Sequence, residues 1–379
     1  MLRQDRDATV YAARSGWRSN QCSTTCRILG STIVHQHLSH LKLNIINLLQ
    51  EVKTSQQKRR KLLSRKRKEL RNVSLKTKAD HESLCNKLAM KINVSSVCDI
   101  GIERTNNEDA VGFCFDLKNH LWNQSSTNDY IPLPTEGAVF VVADGMGGAN
   151  AGEIASNLAI QSIKDSLGKD GYEMQNMTKE SIYSFLKKNI VKANQAILEY
   201  VTHSPDSIGL GTTIVLAWIL NGYVYIAWCG DSRCYCFNPN SGLRLLTKDH
   251  SLVQELIDKG EIRCEEAFNH PDNNIITRCL GDVDADPEPE FLTYKICEGD
   301  IFLLCSDGLC GYCKDSLIEK TMYRNYKNME LCQKALLKNA LDTGGQDNIS
   351  IVLCATLPLN STKCRVGLKG KIKKFLAKL

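Results

Sequence analysis

The sequence of 379 residues lacks features that define several large classes of protein. No apolar run approaches the ~20 residues that a membrane-spanning helix needs, which excludes a transmembrane protein. The first thirty residues contain no compact apolar stretch, so the sequence predicts no secretory signal. We therefore expect a cytoplasmic protein.

Cysteine is abundant, but its pattern does not fit a disulfide scaffold. The chain has 17 cysteines, an odd number in a long sequence. Disulfide frameworks are typical of short secreted domains with an even number of cysteines. The sequence therefore predicts reduced thiols in an intracellular protein.

The net charge of +6 conceals three segments of different sign. Residues 1–90 carry 19 Lys and Arg against 6 Asp and Glu, a net charge of +13. Residues 91–362 carry 22 against 36, a net of −14, and residues 363–379 carry 7 against none, a net of +7. We expect a basic N-terminal extension, a globular domain and a basic tail with these bounds. An acidic centre favours cation binding over a specific nucleic-acid partner.

The two basic ends have patterns that leave their role open. The extension has a helical pattern over 32–71 with basic runs at 58–61 and 65–68, and we expect it to be partly helical or disordered. It could be a solvated arm, a nuclear-import signal or a patch for an anionic partner. The tail could be a frayed terminus, or it could bind an anionic membrane surface or an acidic partner. Its apolar residues at helical spacing are Leu368, Ile372, Phe375, Leu376 and Leu379.

The segment after residue 90 contains both strand and helix patterns. The predicted strands are Val94–Ile100, Ala138–Ala143, Thr212–Leu220, Tyr223–Trp228, Ile301–Leu304 and Ile349–Ala355. The predicted helices are Ala151–Leu167, Ile182–Val201, Ser251–Lys259 and Glu330–Leu341. The pair Asn221-Gly222 predicts a hairpin between two of the strands. Because the regular alternation of a parallel sheet is absent, the pattern indicates an α+β fold with antiparallel sheets.

Carboxylates stand beside glycine or at strand ends in five segments of this domain. A single acid of this kind usually caps a turn, but several that converge would need a cation to offset their charge. Oxygen ligands suit Mg²⁺ and Mn²⁺, and two such ions could activate a water for attack on a phosphoryl group. The acids are Glu108, Asp109, Asp144, Asp231, Asp307 and Asp347.

Eight short motifs occur in an order that resembles one enzyme family. They are Arg104–Asp109, Val142–Gly148, Gly211–Thr213, Gly230–Arg233, Lys248–Ser251, Thr277–Gly281, Ser306–Leu309 and Gly345–Asn348. Over roughly residues 90–357 the chain resembles the type 2C, metal-dependent serine/threonine protein phosphatases of the PPM superfamily. The resemblance implies an α-β-β-α sandwich, with two antiparallel sheets flanked by helices.

The resemblance also implies a role for each acid. Asp144 would bridge two Mn²⁺ or Mg²⁺ ions, and the Gly145 carbonyl would bind one of them. Asp307 and Asp347 would complete the shell of the first ion. Glu108 and Asp109 would hold the second ion, partly through water. A third, weaker ion would lie between Asp231 and Asp307.

Arg104 matches the family's phosphate clamp, and its guanidinium fork suits two phosphate oxygens. Two positions depart from the family pattern. Met146 and Ala149 stand where animal-type and bacterial-type members have a histidine, so the proton donor to the leaving oxygen is unassigned. His250 matches a family position, for which a structural role is the favoured interpretation.

The sequence thus predicts an enzyme that hydrolyses phosphoserine and phosphothreonine in proteins without forming a phosphoenzyme. Arg104, Asp144 and Asp307 are the predicted catalytic residues. The partners would be phosphoproteins, and the enzyme would oppose a serine/threonine kinase. The alternative is a catalytically weak pseudophosphatase that uses the same fold as a binding or scaffolding module.

Overall fold

The chain divides into two units, Met1–His81 and Glu82–Leu379. The computed structural model describes residues 90–117, 119–122, 126–127, 129–147, 151–170, 177–204 and 209–358, all in the second unit. The predictions for the basic extension up to residue 89 and for the tail 363–379 lie outside the described residues, as do Gly148 and Ala149. Within the described ranges, no helix is long and apolar enough to cross a membrane.

Twelve strands and seven helices make up the described part. The strands are β1 (Met90–Asp99), β2 (Asp109–Cys114), β3 (Ile131–Pro132), β4 (Ala138–Met146), β5 (Gly211–Thr212), β6 (Ile214–Leu220), β7 (Tyr223–Cys229), β8 (Arg233–Asn238), β9 (Gly242–Leu245), β10 (Glu290–Lys295), β11 (Ile301–Cys305) and β12 (Ile349–Pro358). The helices are α1 (Ala151–Asp170), α2 (Lys179–His203), α3 (Leu252–Asp258), α4 (Cys264–Ala267), α5 (Asp307–Cys310), α6 (Asp315–Asn325) and α7 (Met329–Asp342).

The strands form two antiparallel sheets. The first has the order β3-β1-β12-β11-β8-β9, and the second has the order β10-β7-β6-β4-β2, with β5 paired to the end of β4. Asn221 and Gly222 have φ of 52° and 79° and join β6 to β7, with Leu220 opposite Tyr223. These angles match the two central positions of a type I′ turn, so the predicted hairpin is confirmed.

Helices cover the outer face of both sheets, which gives four layers. In β4, Val139, Val141 and Ala143 pack toward α1 and α2, whereas Phe140 and Val142 pack between the two sheets. This two-residue alternation is the period of a strand, and both faces are apolar because both are covered. A third apolar core joins the first sheet to α6 and α7. The structure confirms the predicted α-β-β-α sandwich.

The predicted elements are all present, most of them with bounds extended by a few residues, but several others were missed. The predicted strand Thr212–Leu220 is divided into β5 and β6, and the predicted helix Ser251–Lys259 is one residue shorter at each end. The half-buried strand β10 and the partly exposed β9 lack a clear apolar alternation, and α6 has many polar residues. Such elements are formed by what they pack against, and a local pattern does not reveal them.

The cysteine prediction holds for most of the described thiols but is wrong at one position. Twelve cysteines are free, and most of them are buried in the cores. Cys297 is disulfide-bonded, so the prediction of reduced thiols throughout the chain fails there. Buried free cysteine behaves as a small apolar residue, which is consistent with the packing of the nine buried free cysteines.

Candidate metal centre

The predicted site residues that lie on the strands are all at one edge of the sandwich. β1, β4, β7 and β11 end at this edge, and β2, β8 and β12 begin there. Antiparallel pairing therefore brings acids from distant parts of the sequence together. The pairing is direct for Asp109 and Asp144, which face each other across β2 and β4.

The backbone around Asp144 is held by two threonines of the Gly211–Thr213 motif. The Thr213 hydroxyl accepts a hydrogen bond from the Asp144 N–H at 3.1 Å, and the Thr213 N–H donates to the Asp144 carbonyl at 2.8 Å. The Thr212 hydroxyl donates to the same carbonyl at 2.9 Å. These hydrogen bonds pair the backbone N–H and carbonyl of Asp144 and so fix the direction in which its carboxylate projects.

Asp109 is buried and is oriented by the residue that precedes Asp307. The Ser306 hydroxyl donates a hydrogen bond to Asp109 Oδ2 at 2.7 Å. The same hydroxyl accepts the Ser350 N–H at 3.0 Å, so three strands meet at this side chain. Ser306 thereby links one predicted metal ligand to the start of the helix that carries another.

Burial, and after it mutual repulsion, raises the pKa values of the carboxylates at this edge. Burial raises the pKa of Asp144 well above its usual range, and Asp307, Asp109 and Asp231 add to this. Burial, with Asp307 next, does the same for Asp231. The pKa of Asp109 rises to about 7, chiefly because the group is buried. These shifts are those of acids that face one another out of water.

Two buried carboxylate oxygens have no hydrogen-bond partner in the described part of the chain. They are Asp231 Oδ1 and Asp307 Oδ1. An unpaired buried oxygen of this kind costs free energy unless a cation or a donor reaches it. Hard oxygen donors of net negative charge are the ligands that Mg²⁺ and Mn²⁺ prefer, so the donor set fits such ions.

Side chains alone do not complete a metal site. Among the described residues, no group of three His, Cys, Asp or Glu side chains is arranged to hold a metal ion by itself. The family resemblance assigns the remaining ligands to water and to the Gly145 carbonyl. That carbonyl lies in a position that only glycine allows, because a Cβ on Gly145 would lie 2.2 Å from the Gly152 carbonyl oxygen and 2.5 Å from that of Glu108.

Arg104 lies beside the acids, as a phosphate clamp requires. Its Nη2 donates to Asp347 Oδ2 at 2.9 Å, and its Nη1 lies 3.8 Å from Glu108 Oε2. The Arg104 side chain is 45% exposed, so the guanidinium borders both the acidic cluster and solvent. A phosphate could therefore reach it without entering the core.

Two of the motifs meet through a largely buried ion pair. Arg233 Nη2 lies 2.6 Å from Asp249 Oδ2, and Arg233 Nε donates to both oxygens of Asp249 at 2.9 and 3.0 Å. The neighbouring His250 Nδ1 accepts the Gly230 N–H at 3.1 Å, and the His250 side chain is 4% exposed and lies beside Trp228. His250 thus holds the turn that presents Asp231, which supports its interpretation as a structural histidine.

Three residues with clear roles at this edge received none from the sequence. Thr213, Ser306 and Asn348 all lie inside motifs that carry the family resemblance. Their partners are backbone groups and acids from other motifs, so local sequence gives no signal for them beyond the motif itself. Met146 ends β4 at the same edge, and its thioether has no proton to donate.

The fold and this edge define a metal-dependent phosphatase. Residues 118–350 match the family described as protein phosphatase 2C. A serine/threonine phosphatase of Listeria welshimeri is 38% identical over 215 residues, which are 57% of this chain and 83% of that protein. The protein phosphatase PhpP of Streptococcus pneumoniae is 31% identical over 264 residues, 69% of this chain and 96% of that one. The chain belongs to the protein phosphatase 2C family.

A solved structure extends the comparison to the metal. The catalytic domain of the serine threonine protein phosphatase PstP, in complex with two manganese ions, aligns with a TM-score of 0.55 at 27% identity. The alignment covers 71% of this chain and 99% of that domain. The likeness therefore spans the whole catalytic domain of that protein.

Proposed function

We propose that this chain is a metal-dependent protein serine/threonine phosphatase that uses Mn²⁺ or Mg²⁺. The observation that carries the proposal is the buried cluster of carboxylates, two of them with unpartnered oxygens, beside a half-exposed guanidinium. The alternative of an inert scaffold has no support, because the relatives are named as phosphatases and no predicted acidic ligand is missing.

The residues divide the work as follows. Asp144, Asp307 and Asp347 would hold the first ion, and the Gly145 carbonyl would bind one of the two ions that Asp144 bridges. Glu108 and Asp109 would hold a second ion with Asp144, and Asp231 with Asp307 a weaker third. Two bound ions supply Lewis-acid activation of a water at neutral pH.

Arg104 performs the part of the reaction that needs no metal. Its guanidinium would donate two hydrogen bonds to the phosphate of phosphoserine or phosphothreonine and hold phosphorus in line with the attacking oxygen. Asp347 holds the guanidinium in place by accepting a hydrogen bond from Arg104 Nη2. Because attack comes from water, no phosphoenzyme forms.

The test is hydrolysis of a phosphothreonine peptide by the full chain in EDTA, Mg²⁺ and Mn²⁺. Activity should require the cation and should fall by orders of magnitude in Asp307→Asn. The matched control is Asp342→Asn, which removes an exposed carboxylate on α7 that pairs with Lys338. Full activity in Asp307→Asn, or in EDTA, would refute the proposal.

We further propose that the basic ends bind an anionic membrane surface. We also propose that the catalytic domain between them spans residues 91–362. Met90 and Pro358 are paired neighbours in β1 and β12. The described part of the domain therefore begins and ends at paired positions, and the sequence beyond them carries net charges of +13 in the extension and +7 in the tail. Such clusters bind anionic lipid by Coulomb attraction, aided here by the apolar spacing in the tail.

Sedimentation with vesicles tests the membrane proposal. The full chain should pellet with vesicles that contain phosphatidylserine and should be released by high salt, because salt screens the attraction. The 91–362 fragment should stay in the supernatant. No binding by the full chain would refute the proposal and would favour an acidic protein or a nuclear-import receptor as the partner. The phosphoprotein substrates of this phosphatase and the opposing kinase would then be sought in the compartment where the phosphatase is found.

A further inference from the structure

Asn348 is a buried amide that the proposed reaction does not use. It follows Asp347 directly and is 3% exposed. Its Nδ2 donates to the carbonyls of Ile100 and Asn106, both at 2.9 Å, and its Oδ1 accepts the Glu108 N–H at 2.7 Å. One side chain therefore binds three backbone groups of the segment that joins β1 to β2, residues 100–108.

The chemistry of these partners requires an amide at this position. Two carbonyl oxygens need donors and one N–H needs an acceptor, which is the donor and acceptor set of Asn in one orientation only. A carboxylate would set oxygens against the two carbonyls. An aliphatic side chain would leave all three backbone groups without their partner.

The segment 100–108 carries two of the predicted site residues. Arg104, the phosphate clamp, lies near its middle, and Glu108, a predicted ligand of the second ion, lies at its end. Asp347, a predicted ligand of the first ion, is the residue before Asn348. The amide therefore lies where the phosphate clamp and the ligands of both ions must be held at fixed separations.

Other contacts hold the segment at its start, whereas the Asn348 side chain bonds to both its start and its end. The N–H groups of Ile102 and Glu103 donate to the Gly345 carbonyl at 2.7 and 3.3 Å. A Cβ on Gly101 would lie 2.2 Å from the Asp347 carbonyl oxygen, so the backbone of segment 100–108 packs directly against the backbone at Asp347. The bonds to Asn106 and Glu108 extend this attachment to the end that carries the metal ligand.

We propose that Asn348 is a positioning residue that fixes Arg104 and Glu108 relative to Asp347, and so sets both phosphate affinity and metal affinity. The inference rests on the proposed phosphatase function. It assigns to Asn348 no contact with substrate or metal. Groups that orient ligands in this way commonly change metal affinity or activity by about 10–100-fold when they are removed.

A control residue separates positioning from general stability. Asn238, at the end of β8, is 2% exposed and makes the same number of side-chain hydrogen bonds. Its Nδ2 donates to the Glu298 carbonyl at 3.0 Å and to Asp300 Oδ1 at 2.8 Å, and its Oδ1 accepts the Asn240 N–H at 3.0 Å. It lies at the opposite end of its strand from the acidic cluster.

The experiment compares full-length wild type, Asn348→Ala, Asn348→Leu and Asn238→Ala. Thermal unfolding gives Tm, calorimetric titration with MnCl₂ gives metal affinity, and a phosphothreonine peptide gives kcat and KM. We expect both Asn348 variants to lose about tenfold or more in Mn²⁺ affinity and to show a raised KM. Asn238→Ala should lower Tm by a similar amount, yet stay within about threefold of wild type in the other quantities.

Each result bears on one conclusion. If Mn²⁺ affinity and KM of the Asn348 variants match those of Asn238→Ala, Asn348 has a structural role only and the inference is overturned. The same holds if neither Asn348 variant folds under conditions in which Asn238→Ala does. If wild type shows no metal-dependent turnover, the proposed function fails, while the Mn²⁺ titration still tests Asn348.

Discussion

At the scale of single residues, Asp109 shows how crowding of carboxylates alters their chemistry. It is 6% exposed and accepts a hydrogen bond from Ser306, which favours the charged form. Burial outweighs that bond, and Asp307 and Asp347 add repulsion, so the pKa rises from 3.8 to about 7. A charged Asp109 in this cluster is therefore a source of instability that a bound cation would offset.

The pH dependence of stability should report this shift. With EDTA present, the native state holds the Asp109 proton up to about pH 7, whereas the unfolded chain releases it near pH 4. The native state binds more protons in this window, so the free energy of unfolding should fall as the pH rises from 4 to 7. Urea unfolding at several pH values in EDTA measures the fall.

Asp109→Asn is the variant that isolates this group. The amide cannot ionise, so the decrease in stability between pH 4 and pH 7 should be smaller than in wild type. Its neighbours Asp144 and Asp307 also have raised pKa values, so part of the slope should remain. A slope identical to that of wild type would show that Asp109 does not carry the shift.

At the scale of elements, the Arg233–Asp249 pair joins the start of β8 to the segment before α3. The two side chains are 25% and 13% exposed. Arg233→Leu would leave Asp249 buried without its partner, and losses of this kind cost about 3–5 kcal/mol. We expect a loss near the lower limit because some solvent reaches the pair.

The exposed pair of Lys248 with Asp258 supplies the control. Its side chains are 52% and 45% exposed, and such pairs contribute about 0–1 kcal/mol. Lys248→Ala should therefore change the free energy of unfolding much less than Arg233→Leu does, as measured by urea unfolding. Equal losses in the two variants would contradict the assignment of the Arg233 pair as a buried link.

The close approach of segment 100–108 to β12 can be tested with two glycines of similar φ. Gly101 has φ of +79° and Gly260 has φ of +73°, so alanine is strained at both by about 1–2 kcal/mol. A Cβ on Gly260 meets nothing within 4 Å, whereas one on Gly101 meets the Asp347 carbonyl.

Gly101→Ala should therefore lose about 1–3 kcal/mol of stability beyond the loss in Gly260→Ala. It should also lower kcat/KM, because the backbone of the segment that carries Arg104 must shift. Chemical unfolding and phosphopeptide hydrolysis measure the two effects. Similar stability and activity in the two variants would show that the backbone contact is dispensable.

At the scale of the whole molecule, the acidic cluster and the basic ends are attached to opposite ends of the same strands. β1 begins at Met90, beside Pro358, and ends at Asp99, beside Ile349. Nine residue steps at about 3.3 Å separate those ends by roughly 30 Å. The Met90–Pro358 pair and the acidic cluster therefore lie at opposite ends of β1 and β12.

Removal of both basic ends should leave catalysis intact. The 91–362 fragment contains every proposed site residue, so its kcat and KM for a phosphothreonine peptide should lie within about twofold of those of the full chain. Kinetics at two salt concentrations provide the measurement. A fragment that is much more active than the full chain would instead indicate that a basic end covers the acidic cluster.

Much of this architecture follows from local sequence. The strands that are buried on both faces read as continuous apolar runs, and α2 has apolar residues on one face from Ile182 to Val201. The acids are recognisable because they stand beside glycine or close to the start or end of an apolar strand. The family motifs then identify which acids belong together, and the structure places all of them at one edge.

Other features depend on partners far away in the sequence. Asn348 bonds to residues 240 to 248 positions earlier, and Ser306 bonds to an acid 197 positions earlier. The exposed and half-buried strands β9 and β10 take their form from neighbouring strands. No local pattern encodes such contacts, since their stability comes from groups that only folding brings together.

The sequence by itself determined the family, the positions of the buried strands along the chain and the identity of the acids. Each of these depends on residue type and on short-range periodicity, which the chain carries in every conformation. The tertiary structure decided which carboxylates face one another, how far their pKa values rise and which neutral residues hold them. Those properties arise from distance and exclusion of water, and both are set only when the two sheets close together.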